Sequence, residues 1–427
     1  MYQAPRGTRD ILPEEQPYWR YIEQKAAEIC QLYGYQRIDT PIFEDTGLFT
    51  RGIGEETDIV EKEMYAFRDQ GGTSLTLRPE GTAPVCRAYL EWGMHNLPQP
   101  VRLYYFAPIF RYERPQAGRY RQHHQFGFEA LGSPDPVVDA EVVDLAWYFY
   151  QTLGLKDLVL KLNSIGCPRC RPAWVGELRS FYRERQALLC SDCQRRLEKN
   201  PLRLLDCKQE VCSALARQAP RSFEFLCSDC REHFERLRNY LSRLGLEFEL
   251  EPRLVRGLDY YTRTVFEIQP PGEGRAQATL GGGGRYDGLI EAIGGKSTPG
   301  VGFATGVERI ILNLKKQEVP IPSPAPPAVF LAYLGQEAKE RALEYASQLR
   351  RAGVGVVLAS DDRSLKAQLR QASRLQASFA LILGEDELRE GKVVWRDMRK
   401  GEQQRLDFSE VLDGLIQVGG SQATSPA

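Results

Sequence analysis

Apolar residues recur at three- and four-residue spacing across residues 17–33. Trp19, Ile22, Ala26 and Ile29 would share one face of a helix, and Gly34 supplies a stop. The rhythm then shortens to the two-residue period of strands. Residues 37–43 read as a short strand interrupted by Pro41, and residues 75–79 as a strand end. Residues 101–111 are aromatic and β-branched, and residues 125–131 alternate like their hairpin partner. Strands in such close succession predict an antiparallel sheet rather than β-α-β units.

From Cys167 to Leu246 the character changes. Arg, Cys and helix formers dominate and β-branched residues are sparse, which predicts a separate helical insertion over 167–246. The insertion divides a first region into 1–166 and 247–318. Strand-like sequence resumes at 248–250 and 264–268, and residues 306–315 read as a helix. Pro320, Pro322, Pro324, Pro326 and Pro327 mark a stiff linker over 319–327. Beyond it, strands at 329–331, 354–358 and 379–383 alternate with helices at 337–351 and 364–374. That alternation predicts a small α/β domain over 328–418 with a largely parallel sheet. Residues 419–427 are small and polar and are expected to be a disordered tail.

A chain of 427 residues is too long for one ordinary domain, which agrees with this division. The first residues are charged and Pro-rich without an apolar stretch, and no apolar run approaches ~20 residues. The expectation is a cytoplasmic protein that does not touch a membrane. In that reducing setting the ten cysteines are not expected to form a disulfide framework. The formal net charge of -1 means that a polyanion would need a local basic face.

Familiar phosphate motifs fail. Gly295-Lys296-Ser297 has Ile290 where a Walker loop needs glycine, and Tyr286 stands where a dinucleotide fingerprint starting at Gly281 needs one. The run of glycines at 281–284 therefore reads either as a tight turn or bulge, or as a place where backbone approaches a ligand. Histidines are scarce. His123 and His124 would point to opposite faces of a strand, which suits surface or packing roles better than shared metal binding. What stands out is arginine beside Glu, Tyr and Gln. The clusters are Arg78-Pro79-Glu80-Gly81-Thr82, Arg111-Tyr112-Glu113-Arg114, Arg119-Tyr120-Arg121-Gln122 and Arg256-Gly257-Leu258-Asp259-Tyr260-Tyr261. Each alone reads as surface ion pairs. Together they suit a nucleoside triphosphate, because the guanidinium fork matches phosphate oxygens.

These segments together resemble the class II aminoacyl-tRNA synthetases, and within them the histidyl-tRNA synthetase family. Arg6-Gly7-Thr8-Arg9-Asp10 with Leu12-Pro13 resembles that family's start, and the stretch around Pro41 its motif 1. Phe110 to Pro115 with Gln125-Phe126-Gly127-Phe128-Glu129 resembles motif 2, and Gly302 to Arg309 motif 3. Leu254 to Tyr261 and Gly282-Gly283-Gly284-Arg285-Tyr286-Asp287 resemble signatures peculiar to the histidine family. The resemblance implies an α+β fold: an antiparallel catalytic sheet with flanking helices, a helical insertion and a C-terminal α/β anticodon-binding domain.

It also implies a reaction. Histidine and ATP would form histidyl-adenylate and pyrophosphate, and histidine would then pass to the 3′ end of histidine tRNA with release of AMP. By resemblance, ATP would be bound by Arg111, Glu113, Arg121 and Arg309, with Mg2+ bridging its oxygens. Histidine would lie among Glu80, Gly81, Thr82, Gln125 and Glu129 on one side. Arg111, Arg256, Tyr260, Tyr261 and Tyr286 would complete its pocket. Arg256 and Arg111 would carry the catalysis by neutralising charge at the α-phosphate. The expected partners are L-histidine, histidine tRNA and a second copy in a homodimer, with no role for DNA. Two rivals follow from the same resemblance: a non-catalytic regulatory subunit of ATP phosphoribosyltransferase, and a tRNA-binding module without catalysis. The presence of the C-terminal region and the complete motifs weigh against both.

Eight of the cysteines fall between Cys167 and Cys230. They form the CxxC pairs Cys167/Cys170, Cys190/Cys193 and Cys227/Cys230, with Cys207 and Cys212 besides. Such pairs have the spacing of structural zinc sites, with Cys190, Cys193, Cys227 and Cys230 as the candidate ligand set. Buried thiols in a helical insertion are the alternative, and spacing does not say which pairs would share an ion.

Overall fold

The computed structural model describes residues 2–54, 57, 59–115, 118–270, 279–322, 326–411 and 414–415. The chain forms two compact units, Met1–Pro322 and Ser323–Ala427.

The first unit opens with α1 (Gln16–Leu32), whose Trp19, Ile22, Ala26 and Ile29 are buried at the expected spacing. Two short strands follow, β1 (Gln36–Arg37) and β2 (Phe43–Asp45), then α2 (Thr46–Ile53). Here the structure corrects the single strand read at 37–43. β1 joins the large sheet beside β5, and β2 belongs to a small sheet with β3 (Tyr65–Arg68) and β4 (Ser74–Leu77). Pro41, which has no N–H to donate to a ladder, stands between the two.

The chain continues through α3 (Thr82–Glu91) into the hairpin of β5 (Val101–Phe110) and β6 (Gln122–Leu131), paired antiparallel over their full length. Next come α4 (Pro136–Thr152) and β7 (Val159–Ser164). Residues 167–246 then carry α5 (Arg171–Arg183), α6 (Ser191–Lys199), α7 (Glu210–Ala216) and α8 (Ser228–Arg243). The chain returns with β8 (Glu249–Leu250), β9 (Thr262–Gln269), β10 (Gly281–Arg285), α9 (Leu289–Ala292), β11 (Gly300–Gly306) and α10 (Val307–Lys316).

Among the described residues, eight strands form one sheet in the order β1-β5-β6-β11-β10-β9-β7-β8. The six central strands are antiparallel; only the two-residue edge strands pair in parallel. One face is the core. Phe126, Phe128, Phe266 and Phe303 meet Phe149 and Tyr150 of α4, with Ile22 of α1, Ile310 of α10 and Leu241 of α8. The glycine run is therefore neither a loop nor a turn. It is a central strand, with a bulge-like register shift between Gly284 and Arg285.

The second unit holds β12 (Val329–Tyr333), α11 (Gln336–Arg351), β13 (Val356–Leu358), α12 (Leu365–Arg374) and β14 (Phe379–Leu383). Three further elements were not anticipated: α13 (Glu385–Glu390), β15 (Lys392–Asp397) and β16 (Gln403–Asp407). The sheet order is β13-β12-β14-β15-β16, with the first three parallel and the last two antiparallel. β16 escaped the sequence because its Gln403-Gln404-Arg405 opening is polar and exposed. The tail expected at 419–427 lies outside the described residues. No helix among the described residues is long and apolar enough to cross a membrane.

One polar anchor ties the first unit's sheet to its helices. Arg285, at the end of β10, and Asp139 of α4 are both fully buried. The Arg285 Nε donates to both Asp139 oxygens at 3.1 Å, and Nη1 donates to the Ser133 carbonyl at 2.8 Å. His233 of α8 reaches the same carboxylate at 3.2 Å. Burial alone would raise the carboxyl's pKa, but the Arg285 charge and the His233 bond hold it well below the usual carboxylate range. Removing Asp139 leaves the buried Arg285 with only the part-exposed Asp287 to balance its charge. Asp139→Asn should lower unfolding free energy by about 3–5 kcal/mol in urea titration. The double variant Asp139→Asn/Arg285→Met should lose less than the single one. A single variant within about 0.5 kcal/mol of the parent would show that the pair is not an anchor.

Candidate active site

The face of the sheet opposite the core has almost no side chains at its centre. Cross-strand register aligns Gly127 with Ala304 and Ala304 with Gly282; it also aligns Glu129 with Gly302 and Gly302 with Gly284. Residues directly opposite one another in a sheet share a face. The result is a floor of Gly127, Gly282, Gly284, Gly302 and Ala304 across β6, β11 and β10. Larger side chains stand on it. A Cβ at Gly302 would lie 1.7 Å from Glu129 Oε2, and one at Gly127 would lie 2.4 Å from the Tyr105 ring. A Cβ at Gly282 would lie 2.8 Å from Arg256 Nη1. Above this floor opens a cavity of about 1030 Å³.

One end of the cavity holds two buried carboxylates. Glu129 accepts from Thr82 Oγ1 at 2.8 Å and from the Tyr286 hydroxyl at 2.5 Å. Burial raises its pKa to about 8, and the charge of Glu80 adds to the rise against the two hydrogen bonds. Glu80 accepts the backbone N–H groups of Thr82 and Ala83, both at 2.7 Å, and so caps the start of α3. Burial raises its pKa as well, against those bonds. The Tyr260 hydroxyl reaches Glu80 at 3.5 Å, and the rings of Tyr260 and Tyr261 lie 4.8 Å apart. Gly81 sits against Tyr105; a Cβ there would come 2.3 Å from the ring. Gln125, two residues before Gly127 on β6, lines the same space.

Several arginines line another part of the wall. Arg111 follows β5 and donates to the Pro79 carbonyl at 2.7 Å. Arg119 pairs with Glu113 at 3.2 Å, while Arg111 stands 4.0 Å from Glu113. Arg309, in the first turn of α10, donates to the Thr279 carbonyl at 2.6 Å, and burial lowers its pKa. Arg256 is paired with Glu267 of β9, whose charge outweighs burial and raises the guanidinium pKa. These guanidinium groups are among the arginines that face the cavity, with Glu113 and Glu267 between them, an arrangement suited to a polyphosphate.

Three placements differ from the sequence reading. Arg121 does not line the cavity: its guanidinium lies 3.7 Å over the Tyr112 ring and donates to the Glu113 carbonyl at 3.4 Å. Arg78 is buried and spends its donors on the carbonyls of Pro108, Thr40 and Pro41. His123 lines the cavity, with its pKa pushed down to about 3 by burial first and then by Arg111. Only His124 packs, against Trp19 and Glu308. Sequence reasoning gave Arg119 no role beyond its cluster and missed Glu267. Glu267 was detectable as the one acidic residue in an otherwise apolar stretch of β9.

The cysteines need a further correction. Cys190, Cys193, Cys227 and Cys230 do not come together. Cys227 and Cys230, at the start of α8, meet Cys167 and Cys170 in the turn after β7. Cys190 and Cys193, at the start of α6, meet Cys207 and Cys212. The insertion returns to the sheet where it left it, so the outer pairs close on each other and the inner ones are left to pair among themselves.

Comparisons with known proteins agree with this picture. The family model described as histidyl-tRNA synthetase matches residues 7–170 and 177–310, and that described as an anticodon binding domain matches residues 328–417. A histidine–tRNA ligase of Dehalococcoides mccartyi is 59% identical over 96% of this chain and 98% of that protein. A histidine–tRNA ligase of Desulforudis audaxviator is 54% identical over 97% of this chain and 98% of that protein. The apo histidyl-tRNA synthetase of S. aureus superposes with a TM-score of 0.81 at 38% identity, covering 97% of this chain and 100% of that one. On the motifs, the fold and these matches, the chain belongs to the histidyl-tRNA synthetase family.

Proposed function

We propose that the cavity over the glycine floor is where this histidine–tRNA ligase makes histidyl-adenylate. The observation that carries the reading is the juxtaposition of a buried carboxylate pair with several arginines over a sheet face of glycine and alanine. The histidine carboxylate is itself the nucleophile, so the site needs no activated Ser or Cys. Attack at the α-phosphorus breaks the bond to the β-phosphate bridging oxygen and releases pyrophosphate. The protein contributes position and positive charge. Arg111 and Arg256 would neutralise the α-phosphate, Arg309 would hold the γ-phosphate end, and Glu113 would accept the adenine amino group. Mg2+ bound with ATP would supply further positive charge to the phosphates. Arg121, read from the sequence as an ATP ligand, would also support the loop that presents Glu113, through its stacking on Tyr112 and its bond to the Glu113 carbonyl.

Glu80, Thr82, Gln125, Glu129, Tyr260, Tyr261 and Tyr286 would surround histidine, with Gly81 leaving room for Tyr105. Polar contacts of this kind discriminate strongly. An amino acid lacking the imidazole N–H groups would leave buried acceptors unpaired, at a cost of roughly 10⁴-fold in specificity. The C-terminal unit would grip the anticodon of histidine tRNA through Arg350, Arg351, Lys366, Arg370, Arg374, Arg396, Arg399 and Lys400. We further infer a cytoplasmic homodimer. The exposed apolar side chains of Ile42, Phe43 and Phe67, on and beside the small sheet, support a self-interface there. No observation favours the regulatory subunit.

The direct test is exchange of pyrophosphate into ATP with each of the twenty amino acids. Histidine alone should support it. Arg256→Ala should slow histidine-dependent exchange by about 10²-fold while changing histidine affinity less. Exchange with another amino acid only would overturn the specificity, and no exchange with any would bring the regulatory-subunit reading forward.

Glu129 gives a pH signature. With its pKa near 8, Glu129 holds a proton at neutral pH in the free enzyme. An incoming histidine ammonium favours the ionised form, so binding should release a proton and tighten as pH rises from 7 toward 8. Titration calorimetry in buffers of different ionisation enthalpy measures that proton directly. Glu129→Gln should abolish the release and raise the histidine KM by about 10²-fold. Equal proton release in parent and variant would exclude Glu129 as the group that ionises.

A further inference from the structure

The reaction uses none of the eight cysteines of the insertion, yet the fold gathers them into two closed tetrads. In each tetrad the four Sγ atoms lie within 4.8 Å of one another. We propose that the chain binds two structural zinc ions, one held by Cys167, Cys170, Cys227 and Cys230 and one by Cys190, Cys193, Cys207 and Cys212.

The geometry has the size of the ion. A Zn–S bond of about 2.3 Å in a tetrahedron sets neighbouring sulfurs about 3.8 Å apart. In the outer tetrad Cys167 and Cys170 are 3.8 Å apart, Cys167 and Cys227 3.9 Å, and Cys170 and Cys230 3.8 Å. In the inner tetrad Cys190 and Cys207 are 3.8 Å apart. The surroundings fit thiolates. The backbone N–H of Cys167 donates to Cys170 Sγ, and that of Cys190 to Cys212 Sγ, each at 3.3 Å. Gly166 stands at φ +70°, and a Cβ there would lie 2.8 Å from Cys170 Sγ.

Apolar packing is a poor reason for the outer tetrad. Its cluster of buried side chains contains Leu226 and otherwise only cysteines. Four sulfurs with one aliphatic neighbour gain little from burial as thiols. An all-thiolate, four-coordinate site is closed, with no open position for a substrate, which marks a structural role. The topology gives that role content. The outer tetrad joins the two ends of the insertion, residues sixty positions apart in Cys170 and Cys230. The inner tetrad lies between them and ties the nine-residue α6 to the seven-residue α7, helices too short to persist alone. Both touch the site. Arg171, next to Cys170, donates to the Tyr261 carbonyl, and Cys190 and Cys207 line the cavity.

The experiment is elemental analysis of full-length protein purified without chelator, with Cys170→Ser and Cys193→Ser beside it. The parent should carry about two zinc ions per chain, and each variant about one. Metal released into a colorimetric chelator on denaturation counts the parent's sites even if a variant fails to fold. Intact mass and thiol titration supply the second readout: ten free thiols once metal is removed. Metal-free parent would overturn the proposal, whether its thiols are free or joined in disulfides. A single zinc unaffected by Cys170→Ser would overturn the two-tetrad assignment, and iron in place of zinc would overturn the choice of ion.

Discussion

The first unit depends on a sheet that is full on one side and bare on the other. β6 and β11 bury Phe126, Phe128 and Phe303 against α4, while the opposite face of β6, β11 and β10 carries Gly127, Gly282, Gly284, Gly302 and Ala304 at its centre. Glycine in a strand costs about 0.5–1 kcal/mol each in conformational entropy. Here that cost is offset by the aromatic core behind the same strands. The bare face lets Glu129, Tyr105 and Arg256 fold down over backbone, with their polar groups turned into one cavity. A Cβ at Gly302, Gly127 or Gly282 would crowd Glu129, Tyr105 or Arg256 respectively.

Charge is arranged on this frame according to how much water each group keeps. Glu129 and Glu80 are buried and anchored by hydrogen bonds, so burial shifts them toward their neutral forms. Arg256 and Arg309 lie on the cavity wall, where they contact Glu267 and the Thr279 carbonyl. A polyphosphate could replace or share these partners. Arg285 is different in kind. Its donors are consumed by Asp139, Asp287 and Ser133, and its work is to hold β10 in place. The motif residues Arg285 and Tyr286 therefore divide their roles, one behind the sheet and the other on Glu129.

Much of this was legible before the structure. Helical period placed α1, α10, α11 and α12 within a residue or two, and strand alternation found the β5–β6 hairpin. Class and family followed from motif order. What was not legible depends on partners distant in sequence. The glycine run has no period and could not be read as a strand, because its neighbours β9 and β11 supply the reason for it. Four cysteine pairs allow several groupings, and only the return of α8 to β7 chooses between them. Arg121 and Arg78 sit in the same motifs as the cavity arginines; their orientation toward Tyr112 and toward backbone carbonyls is set by packing. β16 is held by pairing with β15, and little in its own polar sequence announces it; β15 carries a strand signal in Val393-Val394-Trp395 that the sequence reading did not use.

The claim that a bare floor makes the site is tested most directly at Gly302. Its added methyl would fall on Glu129 Oε2. Gly302→Ala, measured by histidine-dependent ATP–pyrophosphate exchange on folded protein, should raise the histidine KM by about 10²-fold, the scale on which displacing a positioned group is felt. The ATP KM should change much less, because the arginine wall does not rest on that residue. A folded Gly302→Ala protein with the parent's histidine KM would contradict the account.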